Sequence, residues 1–539
     1  MNFAGKGLRI SGRLVLGTIT VLWFLLLTAG LAQAQTAPDS STNAPQRERM
    51  LRELQDLQSM KKELEQKVGD FDTRIRALEI ELGAPHPKEE VPPQPNVSTN
   101  PVAVIPVEAT NRVATTGEAT NPPPATPSPP AEAKVVEKPK WGAYEPGKGF
   151  VLARGPLGEL GFGVLTYLRY LNKRSIDANY TDAFGRTIPV QQRQDFQLNR
   201  EQIMFRGWLF DERFDYQFWV WTQNSSMGEQ TQINVGGNAV YEFYEWLALR
   251  GGIFSVPTTR STSQSFPNWL KIDHRTMADE YFRGSYSTGI MLEGKIKPVR
   301  LQYKVALVNN LSTLGVSAAQ LDNKLDTVST ALWWLPTTGE FGPGLGFGDY
   351  EEHKKLATLL GVHYTHSTET AQSQPKENGF ENTQFFLSDG TLIFSPNPFG
   401  TGGSVQQLTY QMLDLEAGMK FKGWSLEGEY YLRRLDNFHV TGGPIPVDHV
   451  FDHGFQVQAS TMLVPKLLQV YAAPSKVFGA YGNPWELGLG LTYFPFKRKE
   501  MRMNFQALYE SQAPAGNIAL PFSPGNKGWI YTVDVGVWF

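Results

Sequence analysis

The chain has 539 residues, with 50 Lys+Arg against 53 Asp+Glu for a formal charge of −3, and it has no Cys. Near-balanced charge excludes the basic excess of a nucleic-acid binder and the block charge of an acidic tail, and the lack of Cys excludes disulfides and thiolate metal sites. With 51 Gly, 36 Pro and 12% aromatic residues, the composition fits β structure with a loose appendage rather than a helix-rich enzyme or a helical membrane bundle.

At the start of the chain Lys6, Arg9 and Arg13 precede an apolar stretch from Leu14 to Leu27, and Ala32-Gln33-Ala34 offers a small-residue cleavage site. This predicts a signal peptide over 1–34. An uncleaved anchor is the alternative, but the stretch is short for a span and polar sequence follows at once. Cleavage would take the charge from −3 to about −6, because three cations and no acids leave. No later segment approaches the roughly 18 apolar residues of a spanning helix, so a mature chain that enters a membrane must do so as a barrel.

Over 46–83 the positions Met50, Leu54, Leu57, Lys61, Leu64, Val68, Phe71, Ile75, Leu78 and Leu82 alternate four and three apart. This heptad seam, with charge on the other faces, predicts a self-associating coiled coil. The alternative is a lone amphipathic helix packed on a globular domain. Residues 84–140, with Pro122-Pro123-Pro124 and Pro129-Pro130 and no hydrophobic period, predict a disordered Pro-rich linker. At about 3 Å per residue it could reach well over about 100 Å.

From 157 to 539 the sequence alternates with a period of two. Trp529, Tyr531, Val533, Val535, Val537 and the terminal Phe539 share one face, while Thr532, Asp534 and Gly536 share the other. Leu413 to Phe421 and Met501 to Tyr509 repeat the pattern. A soluble sandwich and a barrel in lipid both produce such alternation. Two features favour the barrel: aromatic residues near strand ends (Trp208, Phe210, Trp246, Trp333, Trp334 and Trp424), and connections that alternate short and long. The fold class expected is all-β, a transmembrane antiparallel barrel of about sixteen strands. One connection, 337–354, is long and Gly-rich where a short turn is due, which leaves room for a miscounted strand. An apolar strand ending on Phe539 is also what outer-membrane assembly signals look like.

Several stretches resemble the phosphate-selective porin O and P family of outer-membrane anion channels. They are FQLNREQIMFRGWLF at 196–210 with RFDYQFWV after it, AVYEFYEWLALRGGIFSVP at 239–257, Thr288-Gly289-Ile290, ALWWLP at 331–336 and LATLLGVHY at 356–364. The chain departs from the family pattern in having a Gln in place of a second Arg after Arg200. The resemblance implies a trimeric sixteen-stranded porin whose third long loop, 256–283, folds into the lumen as its constriction.

A narrow lumen ringed by cations attracts anions because its low-dielectric wall focuses the field. Strand parity turns Arg169, Arg200, Arg206, Arg250, Arg300 and Lys304 inward, and the third loop adds Arg260, Lys271, Arg275 and Arg283. These ten are the candidate anion path. Glu159, Asp215, Glu293, Asp414, Glu416, Glu427 and Glu429 share the inward parity, so a lumenal salt-bridge network is the competing reading of the same cations. Inward Tyr167, Trp219, Trp221 and Tyr431 would suit stacking on an uncharged sugar, or simple packing.

There is no G-x-S-x-G elbow, no phosphate-binding Gly loop and no H-E-x-x-H, so no enzyme activity and no cofactor are expected. His363 and His366 fall on opposite strand faces, and His449 and His453 about 13 Å apart along one, so no metal site is expected. The function read from the sequence is a bacterial outer-membrane porin for passive diffusion of small solutes, especially anions such as phosphate. Its N-terminal part would lie in the periplasm. The alternatives are a channel for uncharged sugars, or an envelope tether whose coiled coil meets peptidoglycan or another periplasmic protein. Expected partners are outer-membrane lipid and two further copies of the chain in a homotrimer, with no nucleic acid.

Overall fold

The computed structural model describes residues 142–145, 149–223, 233–263, 266–272, 274–314, 316, 320–321, 324–374, 384–517 and 519–539. The expected signal peptide, coiled coil and linker lie outside the described residues. Twenty strands occur among those described. In chain order they are β1 Tyr144–Glu145, β2 Gly149–Gly155, β3 Gly158–Asn172, β4 Asn179–Thr181, β5 Thr187–Pro189, β6 Gln194–Leu209, β7 Asp211–Gln223, β8 Ile233–Tyr244, β9 Leu247–Ser255 and β10 Tyr286–Ile296. They continue as β11 Leu301–Val308, β12 Thr327–Trp334, β13 Ala357–Thr370, β14 Gly403–Phe421, β15 Trp424–Gly442, β16 His449–Val464, β17 Leu468–Phe478, β18 Trp485–Tyr493, β19 Met501–Ser511 and β20 Lys527–Trp538. One short helix, α1 Met277–Phe282, lies between β9 and β10.

Sixteen of these strands, β3 and β6 to β20, pair antiparallel in sequence order. β20 then pairs with β3 from Tyr531↔Asn172 to Trp538↔Leu165, which closes the sheet. β2 continues the row beside the start of β3. There the terminal Phe539 exchanges backbone hydrogen bonds with Val164 (3.0 Å each) and meets Phe150 edge-on at 5.3 Å.

The barrel is inverted relative to a soluble protein. On β15 the inward Glu427 and Glu429 are 1% and 3% exposed, while the outward Trp424 and Leu426 are 65% and 44% exposed. On β19 the inward Arg502, Asn504, Gln506 and Glu510 are buried, and the outward Phe505 is exposed. Alternation alone could not separate a sandwich from a membrane barrel. A closed sheet that buries charge inside and presents Leu, Phe, Trp and Tyr outside does so, because such a surface is stable only against lipid.

Short turns and long loops segregate to opposite ends. Lys422 and Gly423 join β14 to β15 with φ of 49° and 85°, a two-residue turn whose backbone matches the twist of its strands. Trp246, Trp334 and Trp424 are exposed at the turn end, and Trp485 and Trp529 at the loop end. Two residues expected among the exposed aromatics face inward instead. Trp333 is buried with its indole N–H donating to Glu416 (2.5 Å), and Trp208 lines the lumen. Both stand on the inward parity of their strands.

The long connection 335–356 hides no additional strand. It runs back into the lumen, where Phe341 and Leu345 pack with Trp333, Ala357 and Leu359. Its glycines follow from that path: Gly348 has φ 75°, and a Cβ there would come 2.7 Å from both Leu270 and Gln469.

Candidate functional site

At Val256 the chain leaves the wall after β9, crosses the lumen, and rejoins the wall at β10. Much of this third loop is anchored to the opposite wall, β14 to β19. Arg260 pairs with Glu427 at 2.6 Å and Glu416 at 3.4 Å, and its backbone N–H donates to Glu429 at 2.9 Å. Lys271 meets Glu486 at 3.3 Å, His274 meets Gln506 at 2.9 Å, and the Tyr281 hydroxyl donates to Asp452 at 2.9 Å. Thr276 caps α1, accepting from the Asp279 N–H at 3.4 Å and donating to Gln456 at 2.8 Å. The apolar side of α1 joins a cluster containing Tyr410, Tyr431 and, from the long loops, Phe385, Phe386 and Phe522. The loop therefore fills much of the β14 to β19 side of the lumen.

The inserted turn meets the loop from the other end. Lys420 donates to the carbonyls of Phe341 (3.0 Å) and Gly346 (2.5 Å). The Phe347 N–H reaches the Asn268 carbonyl at 2.7 Å, and the Arg260 guanidinium lies 3.9 Å over the Phe347 ring. At the turn's far side His353 sits between Asp349 and Glu340, 3.0 Å from the latter. The hydrogen bond with Asp349, partly opposed by burial, makes its imidazole more basic than the ordinary 6.5. Asp349 is held more acidic than usual, its desolvation outweighed by hydrogen bonds from His353 and the Gly423 N–H.

Two cavities lie on the other side of the loop, lined in large part by β6 to β12. One cavity of about 840 Å³ extends from the turn end of the barrel to the loop-side ends of β7, β9 and β10. Its lining includes Lys466, Lys497 and Phe539 at the turn end and Trp221, Ser255 and Tyr286 at the loop end. A second, about 1280 Å³, opens at the turn end and shares Arg206, Gln217 and Arg250 with the first. The two differ in charge. Seven basic side chains (Arg206, Arg250, Arg275, Lys466, Lys497, Arg498 and Lys499) and a single acidic side chain, Glu500, line the long cavity. Six cations and six carboxylates line the wider one. Even with Arg250 paired to Glu293 (2.5 Å) and Lys499 to Glu351 (2.6 Å), the positive excess lies on the long cavity.

The ten candidate cations separate accordingly. Arg206, Arg250 and Arg275 come together in the long cavity. Arg250 pairs with Glu293 (2.5 Å) and donates to Asn238 (2.6 Å), while Arg275 donates to Ser261 (2.7 Å) and lies 4.3 Å over Trp269. Lys304 lines the wider cavity, 3.1 Å from the Ser263 carbonyl. Arg300 is not on a strand: it ends the 3₁₀ turn Lys297–Val299 with φ 58° and donates to the carbonyls of Pro336 and Thr337 at the mouth.

The other five lie outside both cavity linings. Arg169 is buried against Asp534 (2.8 Å) and the Ala519 carbonyl (2.6 Å). Arg200 lies over Phe266 at 5.1 Å. Arg260 and Lys271 bind the far wall as described, and Arg283 pairs within the loop with Glu280 (2.5 Å). Of the four inward aromatics, Trp219 and Trp221 line the long cavity. Tyr167 packs edge-on against Phe266, and Tyr431 donates to Glu429 while stacking on Phe282.

Reading by strand parity passed over Lys466, Lys497, Arg498 and Lys499, which sit in turns where parity does not apply. The signal was present as the run Lys497-Arg498-Lys499 beside the last hairpin. Among the described residues no group of three or more His, Asp or Glu is placed to hold a metal ion.

These features define a closed sixteen-stranded transmembrane barrel with a charged lumenal passage. No family model matches the chain, and no curated protein matches its sequence. Solved structures similar to it include OmpT of Vibrio cholerae (9% identity, 72% of this chain and 100% of that one, TM-score 0.44). The outer membrane channel DcaP of Acinetobacter baumannii is similar too (8% identity, 71% and 97%, TM-score 0.44). So is OprD of Pseudomonas aeruginosa (11% identity, 70% and 95%, TM-score 0.33). Likeness of this degree carries no weight by itself, so the functional reading rests on the geometry of the chain.

Proposed function

We propose that the chain is an outer-membrane porin, a water-filled channel for passive diffusion of small solutes that favours small anions such as phosphate. The observation that carries this reading is the long cavity. It extends from the turn end to the loop-side ends of β7, β9 and β10, is lined by both the third loop and the strand wall, and carries seven basic side chains to one acidic side chain. The low-dielectric wall focuses their field into the passage, so they raise the local anion concentration and oppose cations. Arg206, Arg250 and Arg275 within the passage would sort ions, with the turn lysines as the funnel. Phe539, bonded into the closing seam, would be read by the assembly machinery.

The homotrimer and the periplasmic coiled coil belong to the same proposal. Light scattering of the detergent-solubilised full chain checks the first, with a mass three times that of one chain expected. The pore itself is tested in planar bilayers: the purified protein should give discrete current steps in KCl. Folded, heat-modifiable barrels that pass no current would overturn the reading.

A further inference from the structure

We propose that the outer face of the barrel near its loop end carries a site for a lipid whose disaccharide headgroup bears a phosphate at each end, held by Lys476 and Lys527; this rests on the outer-membrane reading above, with the long loops facing out of the cell. On β17 the inward Ser475 and Val477 are buried, so the parity of the strand turns Lys476 toward lipid. Register then sets a row across the sheet. Phe455 on β16 pairs with Lys476, Lys476 with Trp485 on β18, Trp485 with Ser511 on β19, and Ser511 with Lys527 on β20. Directly paired residues share a face, so two ammonium groups and the indole of Trp485, 39% exposed, look out from one line. Tyr509 stands 5.0 Å from Trp485 and 5.3 Å from Trp529, and further toward the turn end the same face presents Leu489, Phe505 and Tyr531, all exposed. The row therefore lies at the aromatic belt, above an apolar surface.

A cation on such a face is costly unless an anion meets it. The protein supplies that anion to a neighbouring outward cation, since Arg434 on β15 pairs with Asp436 at 2.7 Å. It supplies none to Lys476, whose ammonium lies 4.7 Å over the Phe478 ring and has no carboxylate partner among the described residues. Lys527 reaches the exposed Asp177 only at 4.0 Å. The complementary charge is therefore to come from the lipid, and headgroup phosphate is the anion at that depth. Three strand spacings separate the two lysines, about 14 Å. With the Trp485 side chain between them, that is too far for one phosphate to be held by both. Two phosphates at opposite ends of a disaccharide fit, with the flexible lysine stems taking up the difference, the sugars over Trp485 and Ser511, and the acyl chains along the apolar surface below.

The test uses the full-length protein in mild detergent, stripped of lipid, with native mass spectrometry as the readout and diphosphoryl lipid A, monophosphoryl lipid A or phosphatidylglycerol added at graded concentration. Diphosphoryl lipid A should be retained at about fivefold lower concentration than either of the others. Lys476→Gln and Lys527→Gln should each erase that advantage, and Lys476→Arg should keep it. Heat-modifiable mobility and insertion into vesicles report the barrel in the same samples, and the wild-type comparison of lipids needs no variant. Equal retention of the two lipid A forms by a folded barrel would overturn the two-phosphate site and leave the membrane reading intact, and so would an undiminished advantage in Lys476→Gln. Retention of phosphatidylglycerol as tight as that of diphosphoryl lipid A would overturn its glycolipid character. A chain that forms no heat-modifiable barrel and does not enter vesicles would overturn the membrane reading and this site with it.

Discussion

An arginine in a barrel lumen can hold the protein together or face the solute, and its partners decide which. Arg260 is 1% exposed and pinned between Glu427 and Glu416. Removing it strands two carboxylates in a desolvated place, a loss of the kind worth about 3–5 kcal/mol. Arg260→Met should therefore release the third loop, seen as new protease cleavage within 256–285 and a lowered unfolding midpoint. Arg206, in the wall of both cavities, should behave differently. Arg206→Glu should assemble at near wild-type yield yet lose a large part of the anion preference, measured as the reversal potential in a salt gradient. The inward facing of both residues was legible from parity and loop position. Their separate fates were not, because the partners of Arg260 lie more than 150 residues further along the chain.

At the scale of elements, two segments shape the lumen. The third loop was expected inside from resemblance, and its Arg260 docks on carboxylates that the alternation of β14 and β15 had already turned inward. The insertion of 335–356 was not legible. Its Gly content signalled something unusual, but glycine marks tight backbone equally well in a turn or in an extra strand. His353 gives this turn a pH dependence. Its folded pKa is raised above the ordinary 6.5, so the imidazolium's hold on Asp349 and Glu340 is complete below about pH 6.5. That hold is lost as the pH rises through the raised value. Hydrogen exchange across 336–354, corrected for intrinsic chemistry, should accelerate over that rise. In His353→Gln the acceleration should be absent. Trimming Gly339–Gly344, which lines the wider cavity, should enlarge the single-channel conductance.

For the whole molecule the decisive property is inversion, with charge inside and an apolar belt outside. Sequence alternation gave the two faces of every strand but not which one meets solvent, because that depends on whether the sheet closes. Closure of β20 onto β3 decides it. Leu415 lies midway along the membrane-spanning part of β14 and is 46% exposed. Leu415→Lys should cost about 2–4 kcal/mol of folding free energy in lipid, read from reversible denaturation into vesicles. The same closure confines the passage to one side of the lumen and gives its charge a low-dielectric wall. The most direct test of the account is the reversal potential of the full-length wild-type channel across a tenfold KCl gradient. The positive lining predicts a potential of the sign carried by chloride, shrinking as total salt rises. A potential of zero or of the sign carried by potassium would contradict it.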